Sequence, residues 1–306
     1  MTLVVWAYTD GKAGHENQTR GLVRALGDRH SLETHWIQPA RGARTWLHAL
    51  AGRYPPGDGL PDPHLHIGAG HGVHLAMLLA RRARGGRIVV LMRPSLPRAW
   101  FDVCVVPEHD GITGANIITT QGALNVIVPS KTPGSTQDPQ AGLILIGGPS
   151  RHYGWSDTGA VQQVTDIVQR DASISWTLTT SRRTPARTLA LLQEIAAPNL
   201  TVVPYTNTDG LWLPRELARA ARVWVSEDSV SMVYEALTAG AATGLIIVTR
   251  RHANRISRGM DALVRDQLVT PFPAWHQGAV LAPPALPFNE AARVAAWIRT
   301  TWFPER

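Results

Sequence analysis

The sequence predicts an α/β protein of two Rossmann-like, doubly wound domains facing a cleft. Three observations lead to that class. Short β-branched apolar runs alternate with helix-period segments along the chain, the pattern of βαβ units and mainly parallel sheets. The alternation comes as two series, divided by the segment from Pro129 to Pro139, which is rich in turn residues and has no apolar period. The 306 residues also exceed what one core ordinarily fills, roughly 250 residues.

In the first series the apolar runs predict strands at Leu3–Tyr8, Leu32–Ile37, His64–Gly68, Arg87–Met92, Asp102–Val106 and Asn116–Thr119. Helical periodicity predicts helices at Gln18–Leu26, Arg44–Ala51 and Val73–Arg84. The second series has strands at Leu143–Ile146, Ile174–Thr179, Leu200–Val203, Val223–Ser226 and Gly244–Val248. Its helices are Thr158–Arg170, Pro185–Ala197, Trp212–Ala220, Ser229–Ala239 and Met260–Asp266. A proline-rich stretch from Pro271 to Pro287 leads into an amphipathic helix at Asn289–Thr301, late enough to cross back onto the first domain. The expected division is residues 1–130, residues 141–285 and a returning segment at 288–306.

A composition of 44% hydrophobic and 17% charged residues is that of a folded chain. The single Cys104 sits in the apolar run Val103-Cys104-Val105-Val106, so it reads as a buried strand residue and excludes an internal disulfide. The apolar opening up to Tyr8 is too short for a signal peptide, and no apolar run approaches about 18 residues. The expected location is the cytoplasm, with peripheral contact at the inner membrane face through Arg81, Arg82, Arg84 and Arg87. The net charge of +7 points to anionic partners. It is spread along the chain without a dense basic run interleaved with aromatics, which favours small anions or an anionic membrane over nucleic acid.

Ligands of open α/β sheets bind at the carboxyl ends of strands, so the chemistry is expected in strand-to-helix loops. The most informative is Glu227-Asp228-Ser229-Val230-Ser231. Ser229 and Ser231 stand where helix N–H groups lack partners and the dipole is positive, which suits a phosphate. Glu235 lies one turn after Ser231 on the same face, placed to accept ribose hydroxyls. A capped helix with a solvated glutamate is the plainer alternative. Gly147-Gly148-Pro149-Ser150-Arg151 offers backbone N–H groups to wrap a diphosphate and a guanidinium to neutralise it. Ser181, Arg182 and Arg183 add a hydroxyl and two cations before the helix that Pro185 opens.

On the first domain, Asp10-Gly11-Lys12-Ala13-Gly14-His15 joins two glycines that permit close backbone approach to a charge and a titratable ring. It is neither a Walker A loop nor a complete G-x-G-x-x-G. His71 and the run Glu108-His109-Asp110 extend this acceptor-side rim. His15 and His109 are the candidate general bases. His64 and His66 would share a strand face, but no further ligand is fixed beside them, and the chain has no D-x-D. No metal is expected, and the diphosphate charge is left to helix N-termini and arginines.

Longer motifs carry a family resemblance. Asp10-Gly11-Lys12-Ala13-Gly14-His15, Leu91-Met92-Arg93-Pro94-Ser95, Val106-Pro107-Glu108-His109-Asp110, Gly147-Gly148-Pro149-Ser150, Thr180-Ser181-Arg182-Arg183-Thr184-Pro185 and Glu227-Asp228-Ser229-Val230-Ser231-Met232 span nearly the whole chain. Together they resemble the bacterial and plant proteins of the mitochondrial fission, elongated-mitochondria type. That family looks like the GT-B glycosyltransferases, similar in plan to the N-acetylglucosaminyl transferase of peptidoglycan synthesis and to UDP-GlcNAc 2-epimerases. The resemblance implies acceptor contacts in the first domain and nucleotide-sugar contacts in the second, with Glu235 in the place of the ribose-binding carboxylate. The first loop lacks the fuller glycine-rich pattern of the peptidoglycan enzyme, which leaves acceptor and base open.

The expected function is metal-independent transfer of a sugar from a nucleoside diphosphate, UDP-linked by the resemblance, to a surface glycan or lipid-linked acceptor of the cell envelope. No cofactor is expected. Plant members are associated with recruiting a dynamin-related GTPase to mitochondria, so a non-catalytic recruitment protein of this fold is the alternative, and a nucleotide-sugar epimerase is another.

Overall fold

The computed structural model describes residues 2–39, 51, 53–129, 137–252 and 255–304. The chain divides into two compact units, Met1–Val126 with Glu290–Arg306, and Ile127–Asn289.

The first unit contains β1 (Leu3–Tyr8), α1 (Ala13–Gly27), β2 (Leu32–Ile37), β3 (Leu65–Ala69), α2 (His71–Arg84), β4 (Arg87–Leu91), β5 (Val103–Pro107) and β6 (Ile117–Thr120). These strands form one parallel sheet in the order β2-β1-β3-β4-β5-β6. Every residue of β1, β3 and β5 is buried, because helices cover both faces of a parallel sheet and strand sequences become continuously apolar. On one face Val5, Ala7, Leu65 and Ile67 meet Leu22 and Leu26 of α1. On the other, Val4, Trp6 and Tyr8 meet Val73, Met77 and Ala80 of α2. Cys104 is buried in β5, and burial pushes its thiol up to about 11.

The second unit contains β7 (Asp138–Leu145), α3 (Asp157–Arg170), β8 (Ser175–Thr179), α4 (Ala186–Gln193), β9 (Leu200–Val203), α5 (Trp212–Arg219), β10 (Ala220–Ser226), α6 (Val230–Ala239), β11 (Ala242–Ile246), α7 (Arg255–Arg265), β12 (Thr270–Pro271) and α8 (Phe272–His276). Its parallel sheet runs β12-β11-β10-β7-β8-β9. Two tryptophans of this sheet lie over bare glycines of the neighbouring strand, Trp176 over Gly142 and Trp224 over Gly244. A Cβ at either glycine would overlap the indole. The chain then forms α9 (Glu290–Trp302), which buries Val294, Ala295 and Ile298 in the first unit's core and donates from Arg299 to the Ala25 carbonyl at 2.9 Å.

Several expectations need correction. Helix α1 starts at Ala13, so Gly14 and His15 lie in its first turn instead of in a loop. Strand β7 starts at Asp138 and the proline-rich stretch holds the short α8. The helix expected at 44–51 falls, apart from residue 51, outside the described residues, as do 130–136 of the turn-rich segment. His64 and His66 do not share a face. His64 precedes β3, accepts the Val4 N–H at 3.0 Å and meets Phe303, whereas His66 pairs with the Tyr8 hydroxyl at 3.0 Å and stands edge-on to Trp6. The arginine cluster expected at a membrane is mostly engaged within the protein. Arg81 binds Asp102 and the Trp100 carbonyl, Arg84 binds Asp62 and the Gly57 and Leu60 carbonyls, and Arg87 lies 4.8 Å over the Trp302 ring. No helix among the described residues is long and apolar enough to cross a membrane.

Candidate functional site

Each sheet reverses its strand order once, between β1 and β3 and between β7 and β10. Connections leave in opposite directions at such a point, which opens a crevice at the carboxyl ends where ligands of this architecture bind. Of the loops singled out in the sequence, those at Asp10, Gly147 and Glu227 leave from β1, β7 and β10 and His71 follows β3, while Ser181–Arg183 follows the neighbouring β8 and Glu108–Asp110 follows β5.

In the second unit Asp228 organises the crevice. Its side chain is fully buried, and Oδ2 accepts the Gly148 N–H at 2.9 Å, pairs with Arg183 at 2.8 Å and receives the Ser229 hydroxyl at 3.4 Å. Gly147 donates its N–H to Ser226 Oγ at 2.7 Å. Neither position has room for a side chain: a Cβ on Gly147 would overlap Asp228 and Ser229, and one on Gly148 would overlap the Arg183 backbone. The two glycines therefore serve close packing, and their N–H groups are taken by the protein instead of being offered to a diphosphate. Arg183 is likewise committed, to Asp228, to Ser229 Oγ at 3.2 Å and to the Gly148 carbonyl at 2.7 Å. Glu227 is buried and paired with Arg250, which also holds Asp261 at 2.7 Å. Burial raises the Glu227 carboxyl above its ordinary range despite that partner. Ser150 Oγ caps its own turn by accepting from His152 and Tyr153, and Arg151 turns to His152. So Gly147, Gly148, Glu227 and Ser150 build the site and do not line it, while Arg183 both braces it and forms part of its wall.

What the crevice leaves open is a cavity of about 500 Å³ at the ends of β8, β9 and β10, a size suited to a small-molecule ligand, roughly 300–1,000 Å³. It is lined by Thr179 to Arg183, by Tyr205, Thr208, Asp209, Trp212 and Leu213, and by Ser229, Ser231 and Met232. Ser229 does not cap α6, since its hydroxyl is turned to Asp228 and Arg183, so the first turn keeps its N–H groups and positive dipole end. Arg182 is exposed on the wall and has no partner among the described residues. Glu235 is 7% exposed, already engaged within the protein and absent from the cavity lining. Tyr205, Thr208 and Trp212 were missed in the sequence, although the strand-end rule applied to β9 points at Pro204–Asp209.

In the first unit Asp10 and His15 form a pair, with Nδ1 of His15 2.9 Å from Asp10 Oδ2. The Asp10 side chain is 5% exposed and that of His15 is 18%. Burial works against the Asp10 carboxylate. The His15 hydrogen bond, the Lys12 N–H at 3.2 Å and the nearby positive charges outweigh it and hold the carboxyl below its usual range. The ring lies against Gly70, whose φ of +81° and lack of space for a Cβ both require glycine. Gly11 takes a left-handed turn at φ +82°, while Lys12 is exposed, 3.9 Å from Asp10. His71 opens α2 at the same edge, and His109 stands in a short turn after β5, 4.0 Å from Asp110. Among the described residues no group of three His, Cys, Asp or Glu is placed to hold a metal ion.

Residues 13–302 match the family described as Mitochondrial fission ELM1. No curated protein matches the sequence. Among solved structures, UDP-GlcNAc 2-epimerase from Methanocaldococcus jannaschii is 10% identical with a TM-score of 0.59, covering 98% of this chain and 99% of its own. UDP-GlcNAc 2-epimerase from Neisseria meningitidis, bound to UDP-GlcNAc, is 10% identical with a TM-score of 0.53 and covers 98% and 99%. CalG4, the calicheamicin glycosyltransferase, is 14% identical with a TM-score of 0.52 and covers 98% and 97%. These likenesses establish the GT-B fold.

Proposed function

We propose that this chain, which belongs to the Mitochondrial fission ELM1 family and has the GT-B fold, binds a nucleoside diphosphate sugar in the second unit and transfers its sugar to an acceptor hydroxyl. The observation that carries the reading is the cavity where the uncapped start of α6 meets the unpartnered Arg182. Those two features supply positive charge where a diphosphate leaving group gathers negative charge. The Ser231 hydroxyl is available for ribose, whereas Thr208 donates to the Tyr205 carbonyl and Ser181 Oγ accepts the Arg183 N–H, and Tyr205 and Trp212 provide flat apolar surface for a base. UDP is the nucleotide we favour, since enzymes of the same fold are described with UDP-sugars.

The bond from the anomeric carbon to the diphosphate oxygen breaks with its electron pair going to the diphosphate. The acceptor oxygen forms the new bond, and its proton passes to His15. With Nδ1–H held by Asp10, the free Nε2 is the basic nitrogen, and the carboxylate stabilises the imidazolium that forms. His109 is the weaker candidate because its neighbouring carboxylate stands at 4.0 Å.

Calorimetric titration with UDP, followed by turnover with a panel of UDP-sugars, tests the proposal. Absence of any nucleoside diphosphate binding sinks it. EDTA is expected to leave UDP affinity unchanged, and a chelator-sensitive titration would refute the metal-free account. Sugar conversion without an acceptor would favour epimerisation.

A further inference from the structure

Among the residues that line the cavity of the second unit, Thr179 at the end of β8 stands apart. It is 5% exposed, and its Oγ1 is buried without a hydrogen-bond partner. The two other lining residues that are buried have partners: Thr180 Oγ1 accepts the Tyr205 N–H at 3.1 Å, and the Ser229 hydroxyl is turned to Asp228 and Arg183. A buried hydroxyl without a partner has given up its hydration with no return, and folded chains keep few such groups.

The sheet fixes where this hydroxyl stands. Thr179 lies opposite Leu145 on one side and Val203 on the other. Residues in register on parallel strands point to the same face, and Leu145 belongs to the core cluster against which Trp212, Leu213 and Met232 pack. Those three side chains also line the cavity. Tyr205 follows Val203 by two residues, and Thr180 holds its N–H beside Thr179. The apolar and aromatic end of the cavity therefore contains one buried hydroxyl left without a partner, whereas Arg182 and the start of α6 make the cationic end. One χ1 step exchanges the hydroxyl and methyl of a threonine, so turning Oγ1 to a ligand needs no backbone movement.

We propose that the Thr179 hydroxyl reads the edge of a nucleobase, whose flat ring fills the apolar end of the cavity beside Tyr205 and Trp212 and supplies the hydrogen bond that Thr179 lacks. A hydroxyl both donates and accepts, so it serves a ring carbonyl or a ring N–H. The donor therefore carries a base. A lipid on the same diphosphate would lay hydrocarbon against Thr179 and leave it unpaired. This deepens the nucleotide reading and rests on it.

Thr179→Val in the full-length protein keeps the shape and removes the hydroxyl. Nothing in the free protein pairs with that group, so the urea midpoint should hold or rise, while calorimetry should show UDP affinity falling by roughly tenfold as a base atom loses its partner. Thr179→Ser should bind UDP like wild type. Inorganic pyrophosphate, which has no base, should bind wild type and Thr179→Val alike, and farnesyl diphosphate should bind wild type no better than pyrophosphate does. Four results overturn the inference: unchanged UDP affinity in Thr179→Val, an equal loss of UDP and pyrophosphate in that variant, a fall in its urea midpoint, or farnesyl diphosphate binding as tightly as UDP. Wild type that binds no UDP fells the nucleotide reading and this inference with it. UDP binding that is indifferent to Thr179→Val fells this inference alone.

Discussion

Asp228→Ala is the most demanding perturbation of the second unit. It removes the oxygen that gathers the Gly148 N–H, Arg183 and the Ser229 hydroxyl. The Gly148 donor is then buried without an acceptor, which costs about 1–3 kcal/mol. The Arg183 side chain is 41% exposed, so water recovers much of its solvation, and loss of the pair adds about 1 kcal/mol at most. Together these give roughly 1–4 kcal/mol. Urea unfolding of wild type, Asp228→Ala and Asp228→Asn should show the midpoint falling at constant slope, with Asn intermediate because it keeps an acceptor oxygen. The loops at 147–149 and 181–184 lose their common anchor, so UDP affinity should fall by about tenfold as their ordering is charged to binding. A midpoint change worth less than about 0.5 kcal/mol, the range of inert surface substitutions, together with unchanged UDP affinity, would refute the view of Asp228 as the organising residue.

Arg182→Ala, at an exposed residue without partners, should lower UDP affinity by about tenfold or more while leaving the urea midpoint unchanged; unaltered calorimetry would remove Arg182 from the site. His15→Ala should cut turnover by about 10²–10⁴ with UDP affinity intact, and Asp10→Asn should lower it by less and shift the pH profile; full activity in His15→Ala would exclude it as base. Burial pushes His66 and His74 down to about 4. The unfolded chain then binds protons that the folded one refuses, and stability should drop as pH falls from about 6.5 towards 4, by roughly 3 kcal/mol per histidine. The depressed Asp10 acts in the same direction and the raised Glu227 against it. Flat urea midpoints between pH 6.5 and 4.5 would contradict this.

Leu3–Tyr8 was legible because buried parallel strands must be apolar on both faces, and the edge strand Leu200–Val203, with no buried residue, was legible from its β-branched composition; both coincide with the structure. Boundaries failed where another rule wrote the sequence. The Asp-Pro-Gln-Ala-Gly opening of β7 has no apolar signal, and the glycines of the first loop concealed the start of α1 at Ala13. The site loops were identified by the strand-end rule, yet their internal roles were not. That Gly148 and Arg183 are spent on Asp228 depends on contacts spanning 80 and 45 residues of sequence, which no local pattern encodes. Arg182 and Arg183 look alike in sequence, and only the position of Asp228 divides them into a free cation and a brace.

The first unit is discontinuous, because its sheet is finished by residue 120 while α9, starting at Glu290, supplies part of its core. During synthesis the second unit, contiguous in sequence, has all its residues before the first has all of its own. The newborn first sheet must wait with the seat of α9 uncovered on α1 while some 160 residues are made, about 8–30 seconds at ordinary rates. That seat, where the Ala25 carbonyl will receive Arg299, is then a natural target for chaperones, and a chain cut before Glu290 leaves it permanently bare.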